Sequence, residues 1–148
     1  MKATLLQLLT YDHWASERLI STMAANPPVG TTQKLMSHII AAQYVWYARI
    51  QQQPSSYAAW HLFTQEELSQ RAKDAYTLWA DMIDTLEEIA LQEIFSYTNT
   101  KGQRFRNTIE DTALHLCHHA AYHRGQIAAQ LSAKSIVPPV TDYIAFVR

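Results

Sequence analysis

All five prolines of this 148-residue chain fall at three places, Pro27-Pro28, Pro54 and Pro138-Pro139, and the whole sequence holds only three glycines. Proline lacks a backbone donor and clashes with the preceding helical turn, so helices are confined to the intervals between these breaks. The intervals are long and periodic. From Ala3 to about Ala24, Leu5, Leu8, Leu9, Ala15, Leu19, Ile20 and Met23 mark the stripe of an amphipathic helix, with Asp12 lying on that stripe. Thr31 or Thr32 can cap a second helix running to about Gln53, in which Leu35, His38, Ile39, Ala42, Val45 and Trp46 share or flank one face. Tyr57 to Phe63 then reads as an aromatic connector closing one end of a core.

The second half repeats the pattern. Thr64 and Glu67 make a capping-box pair before a third helix through Leu68, Ala72, Ala75, Trp79, Met82, Leu86 and Ile89. Glu93 to Arg106 alternates in places around Gly102, which predicts a short hairpin or an extended crossover. Asn107 or Thr108 can cap a fourth helix to about Lys134, with Glu110 and Asp111 in its first turn where the helix dipole favours negative charge. Hydrophobic residues at 48 % and charged residues at 17 % supply a core at this length and exclude a disordered chain. The expectation is an all-α fold, one domain over residues 1–148.

The fourth helix carries the chemistry. His115 to Gln126 holds four of the seven histidines, and His115, His119 and His123 recur every four residues, forming one stripe on the face that should be buried. With a rise of about 1.5 Å per residue, the outer two lie roughly 12 Å apart, too far to share one ion. An adjacent pair can chelate, His115 with His119 or His119 with His123, and a third ligand must come from another helix. His38, inside the apolar stripe of the second helix, is the candidate. Buried imidazoles cost free energy without partners, so the competing reading is a polar network with no ion. Cys117 lies nearly opposite His119 on the helical wheel and reads as a packed thiol. Gly125 reads as allowing a neighbour to approach closely.

Several classes are excluded or disfavoured. Net charge is −1 with no lysine or arginine run, unlike the electrostatic footprint of a nucleic-acid binder. The apolar run Leu5 to Leu9 is broken by Tyr11-Asp12-His13 and has no small-residue cleavage site, so neither a signal peptide nor a membrane span is expected. A single cysteine precludes an internal disulfide and fits a reducing, cytoplasmic setting.

The segment His119-Ala-Ala-Tyr122-His123-Arg124-Gly125-Gln126 resembles the His-x-x-x-His-Arg-Gly-Gln signature of the DinB/YfiT-like family of metalloenzymes. Tyr11-Asp12-His13-Trp14-Ala15 is similar to the family's Tyr-Asn-x-Trp-Ala segment, and Ser37-His38-Ile39 through Trp46 to its second-helix histidine followed by an aromatic; Thr141-Asp142-Tyr143 also resembles family members. The resemblance implies a four-helix bundle, often a homodimer, with a divalent transition metal (zinc, nickel, manganese or iron) held by His38, His119 and His123. His115 and Gln126 would then stand behind the ligands. Asp12, where many relatives carry asparagine, would serve as a proton acceptor or orient a ligand ring. Three histidines leave a coordination position open for a water or a thiolate, which points to a transferase using a low-molecular-weight thiol or a hydrolase acting on a small molecule. The alternative is a non-catalytic, metal-stabilised stress-response or binding protein.

Overall fold

The computed structural model describes residues 1–148. Four long helices carry most of the chain: α1 (Lys2–Ala24), α2 (Thr32–Ile50), α3 (Leu68–Thr85) and α4 (Ile109–Ala133). A 3₁₀ turn (Glu88–Gln92), two strands, β1 (Ile94–Thr98) and β2 (Arg104–Thr108), and a final helical turn, α5 (Tyr143–Phe146), complete it. The fold is thus mostly helical with one small sheet, consistent with the all-α expectation. No helix is long and apolar enough to cross a membrane.

Each long helix is bounded where the local chemistry demands. The Thr108 hydroxyl accepts from the Asp111 N–H at 3.0 Å and opens α4. The capping box ahead of α3 is half formed: Glu67 accepts from the Thr64 N–H at 2.9 Å, but regular helix starts only at Leu68. That helix also stops short, because Leu86 turns to an extended conformation; Ile89, expected on its apolar face, sits in the 3₁₀ turn and is 75 % exposed. Between α3 and α4 the hairpin is realised, with Ile94 opposite Thr108 and Thr98 opposite Arg104. Gly102, at φ +77, supplies the left-handed turn residue.

α1 packs on α3 and α4, and α2 packs on the same two helices. The buried side chains form two apolar clusters. One joins Leu19, Ile20, Met36, Ile39, Phe63, Ile127 and Leu131; the other joins Leu5, Leu9, Trp79, Ile83, Ile109, Ala113 and Leu116. On α1 the buried residues between these clusters are Asp12, Ala15 and Ser16, and on α4 Arg124 is buried within the same face. A charged layer therefore interrupts an otherwise apolar seam. The C-terminal tail returns to α1: the Tyr11 hydroxyl donates to the Thr141 carbonyl at 2.7 Å, and Arg18 Nε donates to that of Val140 at 3.0 Å.

Candidate metal centre

The four-residue period of α4 brings His119 and His123 to one side, with ring centroids 4.5 Å apart. α2 contributes His38, whose ring lies 4.8 Å from that of His119 and 5.0 Å from that of His123. Each ring offers one nitrogen to a group whose atoms all lie within 4.8 Å of one another. His119 Nε2 is 3.1 Å from His38 Nε2 and 3.2 Å from His123 Nε2.

Two of the three rings have their tautomer fixed from behind. His38 Nδ1 donates to the Ala59 carbonyl at 2.6 Å, and His123 Nδ1 donates to Gln126 Oε1 at 2.7 Å. With Nδ1 protonated, a neutral ring presents a bare lone pair at Nε2. His119 thus faces two acceptors and can offer at most one proton through Nε2. Protonating the cluster further is opposed by the site: burial, then the neighbouring imidazoles, push His119 down to about 4, and burial also lowers His38. A divalent cation among the three Nε2 atoms removes the conflict. Ligand bonds of about 2.0–2.1 Å in tetrahedral geometry would put neighbouring nitrogens about 3.3 Å apart, close to the two spacings that His119 makes with His38 and His123. The residues therefore fit a transition-metal ion. The third ring, His119, has no hydrogen-bond partner at its buried Nδ1 and is oriented by the rings around it.

The other residues singled out in the sequence are placed as follows. His115 is one turn from His119, centroids 5.5 Å apart, and edge-on to Trp46 at 5.4 Å; burial lowers its pKa. It lines a cleft of about 230 Å³ with Trp46, Tyr97, Asn107, Asp111 and Thr112. Asp12 is not a member of the imidazole group. Its carboxylate is paired with the guanidinium of Arg124, both side chains being buried, and Arg124 also approaches Ser16 Oγ at 3.4 Å. Burial raises the Asp12 pKa while Arg124 pulls against it. Cys117 lies outside the group, and burial pushes its thiol up to about 12, away from the thiolate form that ligates metals. His118 turns away and donates to the Leu114 carbonyl. A Cβ built on Gly125 would meet nothing within 4 Å, so the close approach read from the sequence does not occur.

Two features escaped sequence reasoning. Arg124 could have been found, because it falls on the buried stripe of Ala113, Leu116, Ala120, Ile127 and Leu131, where a lone cation needs a partner. Ala59 and Trp60, which back and cover His38, could not, since a loop contact 21 residues away leaves no periodic trace. The sequence profile described as the DinB superfamily matches residues 6–127, a span that contains all three imidazoles, Asp12 and Arg124. No curated protein matches the chain.

Proposed function

The chain belongs to the DinB superfamily, and on that premise we propose that it is a metal-dependent enzyme whose His38, His119 and His123 hold one divalent transition ion. We read the ring of four long helices as a four-helix bundle forming a single domain, working in the cytoplasm on a small-molecule substrate. When bound, the ion supplies Lewis acidity at neutral pH, suited to transfer reactions of a low-molecular-weight thiol or to hydrolysis. The chain's own residues do the rest. Ala59 and Gln126 hold two rings in the tautomer that turns Nε2 inward. Trp46 and His115 line the neighbouring cleft edge to face with each other, and Asn107, Asp111 and Thr112 give that cleft polar groups for orienting a bound molecule.

The observation that carries this reading is the convergence of three Nε2 atoms next to a cleft that begins one helical turn away, at His115. His38, His119 and His123 do not line that cleft themselves; His115, whose ring lies 5.5 Å from that of His119, is the residue that links the two. Imidazole suits zinc, nickel and iron alike, so metal analysis of untagged protein comes first. One ion per chain is the expected result; His123→Ala should abolish it and His118→Ala should leave it intact. A transferase screen with small thiols, and a hydrolase screen with esters and amides, then separates the two reaction classes. Full metal content in His123→Ala would overturn the ligand assignment, and a loaded protein inactive in both screens would favour a metal-stabilised binding protein.

A further inference from the structure

His38 is engaged at two edges and one face of its ring. Nε2 meets His119, Nδ1 donates to Ala59, and the Trp60 indole lies flat against it, centroids 3.7 Å apart and 5° from parallel. Trp60 is 53 % exposed, so burial of its own surface does not explain where it sits. Its loop has a firm base: Phe63 is fully buried, its N–H donates to Ser37 Oγ at 3.1 Å, its carbonyl accepts from Gln33 Nε2 at 2.7 Å, and Tyr57 packs edge-on against Tyr44. The tip is a turn closed by the His61 N–H on the Ala58 carbonyl, and it is seated on His38, with Lys34 Nζ 5.5 Å from the Trp60 ring.

We propose that residues 57–62 form an aromatic strap seated on His38, so that cation binding at the imidazole cluster and closure of the strap are one coupled equilibrium, with Trp60 as the positioning residue for His38. The inference rests on the metal reading above. A cation at Nε2 draws electron density from the ring, which makes Nδ1–H a stronger donor to Ala59. It also makes the imidazole an electron-poor partner for the electron-rich indole face. Because coupling free energies are reciprocal, the cation must order the strap and the strap must tighten the cation.

The test uses the full chain and nickel(II), with wild type, Trp60→Phe and Trp60→Ala compared. Chelator competition should show nickel affinity about 10-fold weaker in Trp60→Ala and largely restored in Trp60→Phe. Nickel should quench tryptophan emission in wild type, and most of the quench should vanish in Trp60→Phe, although Trp14, Trp46 and Trp79 remain. Amide exchange at residues 57–62 should slow on adding nickel to wild type, and should be fast in nickel-free His38→Ala, which removes the seat itself. Unchanged affinity in Trp60→Ala together with nickel-independent exchange at 57–62 would overturn the strap while leaving the ion site standing. Absence of stoichiometric nickel binding in wild type would overturn both.

Discussion

His119 is asked to satisfy two lone pairs with one proton, and its behaviour in acid follows. Its pKa in the folded chain is about 4, against about 6.5 when unfolded. Between those values the unfolded chain binds more protons, so stability rises with pH across this window and falls as pH drops from about 6.5 towards 4. His38 and His115 are shifted in the same direction and add to the slope. Urea unfolding of metal-free protein should therefore give a midpoint that declines through this range, and His119→Gln should flatten the decline. The same depression keeps the ring neutral and able to ligate below pH 6. Gln126 acts from behind: Gln126→Leu removes the acceptor of His123 Nδ1 and should weaken metal binding by about 10-fold, measured by chelator competition, without shifting the unfolding midpoint of the metal-free chain comparably.

At the scale of elements, α1 and α4 are joined by the Asp12–Arg124 pair in the charged layer between the two apolar clusters. Asp12→Ala strands a buried guanidinium and should cost about 3–5 kcal/mol in chemical denaturation, whereas Asp12→Leu combined with Arg124→Met should recover much of that loss. The pair ties the buried face of α1 to that of α4. Helix existence was legible in the sequence because the proline breaks and apolar stripes act locally; α1, α2 and α4 end within a few residues of their expected limits. The end of α3 was not, since Leu86 and Ile89 continue a helical period that the return to the hairpin overrides. Within the candidate site, the imidazole stripe of α4 was legible from spacing, and the choice of His119 with His123 came from the family signature. Asp12 shows the limit of such reading: a carboxylate on an apolar stripe announces a buried partner without naming it, and the partner is a cation on α4.

At the scale of the whole molecule, the tail after Pro139 wraps α1 and places Tyr143 and Phe146 against Tyr11 and Trp14. Tyr11→Phe deletes the hydroxyl bond to Thr141 and should cost about 1 kcal/mol in thermal or urea unfolding. We further propose that α1 and α3 supply a two-fold interface between copies; sedimentation at micromolar concentration should give twice the chain mass, and a monomer would remove the dimer while leaving the metal proposal untouched. His123 and Arg124 are consecutive on α4, and about 100° of helical rotation separates them, so one faces the imidazole cluster while the next is buried against Asp12. A chain whose α4 docks one residue out of register thus loses its internal charge partner and scatters its ligands in the same movement. On the metal proposal, loading would then act as proofreading: only correctly docked copies would carry the ion, and a misassembled copy would identify itself by being empty.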